Sequence, residues 1–414
     1  MAIVKPFQPF RYSPQAGDPA KLLTQPYDKI SPAMQAKYLA SSPYNLVRVI
    51  LGERRDSDSE ADNVYTRAAK YFEDWIAQGM LVQDAAPGFY AYFQEFEVPD
   101  SGERLTRKGF IGLGKVEDYS ANVVYRHERT LAGPKKDRLE VLTHTRAHFG
   151  QIFMLYPDRA GDVDRELDAA ATRGNAPVLD AIDEYEARHI LYAIADPERI
   201  ERIQSLMAPM KLLIADGHHR YETALNYRDL HPGDPAAQYV MMTFVNMYSP
   251  GLRILATHRV VRNLETFGMG DLLAHADGAW SVRAFDSLDA LKSGLDNPRP
   301  GSVRIGVVTV KHTCLLERPR KEGEMDVPVL HEEILAGWLG INEEAVRDEK
   351  YVHYVRGIEA AAAEVRERGA QVAFLLVPTP IEEMARVAFA GGVMPQKSTD
   401  FYPKLLTGVA IYRL

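Results

Sequence analysis

The spacing of apolar positions changes repeatedly along this chain, and each change predicts an element. Phe89 to Val98 and Thr106 to Val116 read as two strands around the turn Pro99-Asp100-Ser101-Gly102, which predicts a hairpin. Asn45 to Leu51 reads as a strand, and residues 59–79 as a helix stopped at Gly79. A helix starts at Pro134, a residue suited to the first helical position. Gln151 to Tyr156 reads as a strand. Asp162 to Arg173 and Pro197 to Met210 read as helices, with a strand from His189 to Ala195 between them. Lys211 to Ala215 is a short apolar strand broken at Asp216-Gly217, and a helix follows through Leu230. Tyr239 to Met247 and Arg253 to Arg259 read as strands. Beyond residue 261 helices alternate with strands, among them Ser302 to Val310, Thr313 to Glu317 and Val372 to Val377. A last strand, Thr407 to Tyr412, is expected after a polar lead-in. The pattern predicts a mixed α+β fold without internal repeats. Soft boundaries divide it into an N-terminal α/β region with a hairpin (1–118), a core (119–260) and a C-terminal α/β region with a returning tail strand (261–414).

Composition narrows the function classes. The chain has 414 residues, 46% hydrophobic and 26% charged, with a net charge of −8. An acidic balance argues against a dedicated nucleic-acid binder, whose footprint is basic. One cysteine, Cys314, allows no intrachain disulfide and no cysteine metal cluster. The start, Met1-Ala2-Ile3-Val4-Lys5-Pro6, has no apolar segment of a signal peptide. Apolar runs such as Val372 to Val377 fall short of the ~18 residues a membrane span needs. A cytoplasmic protein with no membrane partner is expected, and a homo-oligomer is left open.

Several common catalytic signatures are missing, including the Walker A loop, the zincin helix and the nucleophile elbow. Gly112-Leu113-Gly114 lacks the third glycine of a dinucleotide fingerprint. The informative segment is Leu212 to Ala224, a strand, a tight turn at Asp216-Gly217 and a helix opened by His218-His219-Arg220. A helix start presents unpaired N–H groups and a positive dipole end, both suited to an anion. Arg220 can fork onto a phosphate, and Gly217 can take a positive φ that lets backbone approach a ligand. The plain alternative is an ordinary Asp-Gly turn in which Asp216 caps the helix.

Two further candidates follow. His127-Glu128 lies in a polar loop, Tyr125 to Leu131, with Lys135, Lys136 and Arg138 close behind; Glu128 is a candidate base and the basic residues are candidates for phosphate. The alternative is a loop and a solvated helix start. In the tail, Lys397-Ser398-Thr399 and Lys404 are candidate pocket residues, as is Asn246; a packed C-terminal strand or a satisfied core residue is the structural alternative. His331, His353 and Cys314 read as structural.

Pro26-Tyr27-Asp28, Tyr44-Asn45-Leu46, Arg126-His127-Glu128, Pro134 to Leu139, Ala215 to Tyr221, Met394 to Thr399 and Phe401-Tyr402-Pro403-Lys404 together resemble a widespread, uncharacterised bacterial and archaeal family. The Asp216-to-Arg220 motif with a preceding His-Glu loop is similar to the ParB/sulfiredoxin-like superfamily, and its nearest version to that of free L-serine kinases. The resemblance covers about 119–260 and implies a ParB/sulfiredoxin-like nucleotide-binding core. It implies Glu128 as base, Asp216 as the group that holds or activates the substrate, and His218, His219 and Arg220 on phosphate. It needs an insertion between Glu128 and Asp216 relative to those kinases.

Three readings follow. The first is a phosphotransferase that uses ADP or ATP with Mg²⁺ on a small hydroxylated metabolite, serine first. Glu128 and Asp216 would be catalytic, with Gly217, His218, His219, Arg220, His127 and Lys135 on the nucleotide. The second is a nucleotide-binding switch without a small-molecule acceptor. The third is a metal-dependent hydrolase using His127, His218, His219 and Asp216, although adjacent histidines suit one metal poorly.

Overall fold

A computed structural model describes every residue except 100, 129–131, 173, 277, 298, 300, 348, 349 and 396. The chain is mixed α+β and groups into two compact units, Met1–Leu252 with Pro403–Leu414, and Arg253–Tyr402. The expected boundary near 118 falls inside the main sheet of the first unit, because strands on both sides of it pair with one another.

That sheet has nine strands: β1 Val4–Lys5, β2 Phe89–Glu97, β3 Arg104–Lys115, β4 Val124–Tyr125, β5 Ile152–Tyr156, β6 Leu179–Ile182, β7 Arg188–Ile194, β8 Leu212–Asp216 and β9 Tyr239–Asn246. Their order is β4-β8-β5-β9-β3-β2-β7-β6, with β1 also paired to β3. The expected hairpin is β2 and β3, antiparallel from Tyr90 opposite Ile111 to Glu97 opposite Arg104; Asp100 of its turn lies outside the described residues. β8 runs parallel to β4 and antiparallel to β5, whereas β5 runs parallel to β9.

Seven helices of the unit are α1 Pro32–Ser41, α2 Val47–Ile50, α3 Val64–Ala77, α4 Ala132–Thr145, α5 Asp162–Ala170, α6 Pro197–Met207 and α7 His218–Leu230. One core contains Phe89, Phe110, Met154, Ile214, Met242 and Phe244 of the sheet, with Val163 and Leu167 of α5 and Ile203 and Met207 of α6. The Phe110 and Phe244 rings stack at 4.8 Å, and removing either ring would cost on the order of 3–5 kcal/mol. A second core gathers Phe10, Leu46, Phe72, Trp75, Phe149 and Ile411. α3 starts with a capping box, in which the Asn63 side chain accepts from Thr66 N–H and Thr66 Oγ1 accepts from Asn63 N–H.

Two sequence expectations are corrected. Asn45 to Leu51 is not a strand: the Asn45 side-chain Oδ1 accepts from Val47 N–H at 2.9 Å, just ahead of the one-turn helix α2. Its apolar run is buried on all sides, which periodicity cannot tell from a strand. Thr407 to Tyr412 is not one strand either. Thr407 bridges to Thr24 and Ile411 to Phe10, while Tyr412 pairs with His148. Gly408 bends the chain between them at φ +94°. The helix expected over Asp162 to Arg173 ends at Ala170, with Arg173 outside the described residues.

The second unit has a six-stranded antiparallel sheet in the order Ser281–Ala284, Thr313–Pro319, Ser302–Val308, Val372–Leu375, Thr257–Val261, Val352–Arg356. The Arg253-to-Arg259 strand is split into two there, Arg253–Leu255 pairing with Asp400–Tyr402 instead.

Candidate functional site

The site begins where β8 runs out. Leu212, Leu213, Ile214 and Ala215 are all buried, so the strand is locked and the first polar residue after it, Asp216, emerges at its end. Gly217 follows at φ +93°, and no side chain caps α7, so the dipole end and first N–H groups of a 13-residue helix are presented at the turn. α7 is held in place by Tyr221, whose hydroxyl donates to the Glu117 carbonyl at 2.7 Å and accepts from its N–H at 2.9 Å. His218 is 93% buried, being 7% exposed, and its Nε2 has no hydrogen-bond partner. An orphaned ring nitrogen on the first turn of an uncapped helix suits an anionic ligand.

The His-Glu loop reaches this turn through strand pairing. β4 and β8 are parallel with Val124 opposite Leu212 and Tyr125 opposite Leu213. His127 keeps the two chains together, its Nδ1–H donating to the Ile214 carbonyl at 2.8 Å. Its ring meets that of His218 edge to face at 4.7 Å. Burial pushes His127 down to about 4, and burial with the neighbouring His127 pushes His218 well below the ordinary histidine value, so both rings are neutral at pH 7. Glu128 is half-buried; Arg129, Thr130 and Leu131 of the expected loop lie outside the described residues.

Asp216 sits among cations. Burial alone would raise its pKa, but Lys404, then Arg220 and Lys29, outweigh it and hold the carboxyl well below the usual range. Arg220 Nη2 lies 3.4 Å from Asp216 Oδ2, and Lys404 Nζ lies 4.0 Å from it. Lys404 reaches this place because the tail backbone is gripped from below. Arg107, 1% exposed, donates through Nη2 to the Pro403 carbonyl at 2.6 Å and through Nε to Gln94 Oε1 at 2.9 Å. Gln94 Nε2 donates to the Lys404 carbonyl at 2.9 Å.

Beside the turn lies a small cleft, open to solvent. Arg138, Arg220, His148, Thr223 and Thr407 supply its polar lining; Tyr27, Ile50, Val141, Leu142 and Phe149 form an apolar wall. The Arg138 guanidinium packs 4.1 Å from the centre of the Tyr27 ring and donates through Nη1 to the Ile50 carbonyl at 2.7 Å. The cleft thus sets two guanidinium groups beside aromatic and aliphatic side chains, a lining suited to a ligand with both charged and flat apolar parts.

The structure therefore gathers Asp216, Gly217, His218, His219 and Arg220 with His127, and Glu128 is the half-buried residue that follows His127. Lys135 stands on α4 and pairs with Glu222 on the second turn of α7, as does Arg126 at 3.3 Å. Asn246 is elsewhere: it closes the far end of β9, donating to the Asp158 carbonyl at 2.7 Å and Asp164 Oδ2 at 3.1 Å. Its strand neighbour is Tyr156 at the C-terminal end of β5, whereas Asp216 pairs with Phe153 near the other end. Lys397, Ser398 and Thr399 belong to the second unit, where the Lys397 carbonyl accepts from Arg259, Ser398 Oγ donates to the Pro395 carbonyl at 2.6 Å, and the Ser398 carbonyl accepts from Thr379. Sequence reasoning gave no role to Arg107, Gln94, Lys29, Tyr27 or Glu222. The Pro26-Tyr27-Asp28 turn before Lys29 was a visible signal; nothing local marks Arg107 on a strand.

The chain belongs to the family described as protein of unknown function DUF1015, which matches residues 4–335. No curated protein matches it. Among solved structures it is similar to a conserved hypothetical protein from Pyrococcus furiosus at 11% identity, over 70% of this chain and 91% of that one, with a TM-score of 0.38. It is similar to a free serine kinase variant in complex with AMP at 9% identity, over 69% and 89%, with a TM-score of 0.38. It is also similar to C-terminally truncated SbnI from Staphylococcus aureus at 12% identity, over 72% and 87%, with a TM-score of 0.36.

Proposed function

We propose that this protein is a nucleotide-dependent phosphotransferase that acts on a small hydroxylated metabolite, with free serine as the first acceptor to test. The observation that carries the reading is the uncapped start of α7, with Asp216 and Arg220 on one turn, opening beside a cleft that pairs arginines with an apolar wall. Phosphoryl transfer asks a protein for positioning and charge neutralisation more than for covalent chemistry, and those are what such a turn offers.

In this reading the nucleotide base lies against Tyr27, Ile50 and Phe149, and its phosphates run past Arg138 and Arg220 to the N–H groups of α7. The acceptor hydroxyl oxygen bonds to the terminal phosphorus as the bridging P–O bond breaks. The electron pair leaves with AMP when ADP is the donor, or with ADP when ATP is. The hydroxyl proton passes to Glu128 and then to solvent, a role typically worth 10²–10⁴ in rate. Asp216 holds and aims the acceptor, leaving its one hydroxyl hydrogen to Glu128. His218, neutral at pH 7, offers its ring nitrogen without adding charge, while His127, also neutral, spends its one N–H on the Ile214 carbonyl. Among the described residues no group of three His, Cys, Asp or Glu side chains stands together as a metal site. Mg²⁺ would enter with the nucleotide, carried mainly by phosphate oxygens, and would offset their charge.

The deciding experiment is ³¹P NMR of the protein with Mg²⁺, ADP or ATP and a panel of hydroxylated amino acids. A new phosphomonoester resonance supports the reading. Slow release of inorganic phosphate independent of any acceptor would favour the switch, and no change in either nucleotide would overturn the enzyme reading.

A further inference from the structure

We infer that Lys404 is a working member of the phosphate site, set against Asp216 by a buried clamp on the tail backbone. The inference rests on the nucleotide reading above and adds to it a residue that comes from nearly two hundred positions further along the chain.

The first ground is placement. Lys404 is 9% exposed, an unusual position for a lysine that does not serve a partner. Its ammonium stands 4.0 Å from Asp216 Oδ2. The distance exceeds that of a charge-assisted hydrogen bond, so the two groups attract across the turn without a direct bond.

The second ground is the clamp. Arg107 and Gln94 between them hold the two consecutive carbonyls of Pro403 and Lys404. Gln94 is fixed in turn by His189, whose Nδ1 lies 3.3 Å from its amide nitrogen and 2.6 Å from the Tyr92 hydroxyl. Asp183 lies 3.1 Å from His189 Nε2, and Tyr92 accepts from Leu406 N–H at 3.4 Å. The Arg107 guanidinium also packs 4.7 Å from the centre of the Phe153 ring, and Phe153 is the β5 residue opposite Asp216. One buried cation therefore touches both what carries Lys404 and what carries its partner's neighbour. Burying a guanidinium costs several kcal/mol even with good partners, and apolar packing would dock a tail as firmly. A rigid polar clamp on the backbone of one residue is better suited to fixing where its side chain points.

The third ground is chemistry. Lys404 and Arg220 approach one carboxylate from two parts of the chain, so Asp216 is faced by two cations before any ligand enters. An ammonium is a compact point charge that offsets a transferring phosphoryl group without the fixed fork of a guanidinium.

The test uses the full chain and the variants Lys404→Met, Lys404→Arg and Gln94→Leu. Calorimetry with pyrophosphate and with ADP reads binding, and ³¹P turnover separates kcat from KM. Lys404→Met should weaken pyrophosphate about tenfold or more, the scale of one charge-assisted contact, and Lys404→Arg should restore most of it. Gln94→Leu keeps the lysine but loosens its support, so kcat should fall about tenfold with KM within about threefold. Should Lys404→Met fail to fold, Gln94→Leu decides. Pyrophosphate affinity and kcat at the unaltered chain's level in every folded variant would overturn the inference and leave the nucleotide reading standing. An unaltered chain that binds neither pyrophosphate nor ADP would overturn the reading, and the inference with it.

Discussion

Replacing Gly217 with alanine perturbs the site at a single carbon whose surroundings are known. Gly217 has φ +93°, where a side chain is strained by about 1–2 kcal/mol. A Cβ there would stand 2.9 Å from Nε and Nη2 of Arg220 and 3.1 Å from its Cζ. Those contacts are closer than van der Waals packing allows, so the guanidinium must shift by several tenths of an ångström. An arginine–phosphate hydrogen bond is worth about 1.5–3 kcal/mol, and losing its alignment should weaken ADP binding by about one to two decades. The control is Gly17→Ala, in the same unit, with φ +106° and nothing within 4 Å of the added carbon. Both variants should melt lower by about 2–4 °C per kcal/mol of strain. Only Gly217→Ala should lose ADP in a calorimetric titration. Equal ADP affinity in the two variants would refute the claim that the ligand meets Arg220 at this turn.

Glu128→Ala should abolish phosphoryl transfer while leaving ADP affinity nearly unchanged; full turnover in that variant would remove Glu128 as base. Asn246→Ala should destabilise the protein by about 1–3 kcal/mol in urea titrations through its lost ties to Asp158 and Asp164, with kcat retained in the folded fraction. Acidification should reveal the buried histidines. The folded values of His127 and His148 lie at about 4, below the unfolded value near 6.5. Their stabilising share is whole above pH 6.5 and shrinks as pH falls toward 4, by about 3 kcal/mol each at most. Urea unfolding between pH 7 and 4 should show that slope, and His148→Phe should flatten it.

The strand, turn and helix at Asp216 were legible because each carries a local signature: an apolar run, an Asp-Gly break and a helical stretch to Leu230. The hairpin of β2 and β3 was legible for the same reason. The pairing that brings His127 against Ile214 and His218 was not, since β4 is two residues long and a pairing that short leaves no pattern. The fixing of Lys404 by Arg107 and Gln94 joins residues about three hundred positions apart, and no window on the sequence spans it. Asn45 to Leu51 misled because burial on every side erases the difference between a period of two and one of 3.6. Asn246 misled in another way: a buried amide at a strand end looks alike whether it serves a ligand or the turn beside it.

The first unit is written in two pieces, with residues 253–402 spelled out between them. A ribosome that has delivered Leu252 has released all nine strands of the sheet and the whole of α7, yet the carbonyls that Arg107 and Gln94 hold are still unsynthesised. At ~5–20 residues per second, the interval before Pro403 appears lasts roughly 8–30 s. Throughout it the Arg107 guanidinium can meet Gln94 but not Pro403, so that part of the first unit is completed only when its second piece arrives.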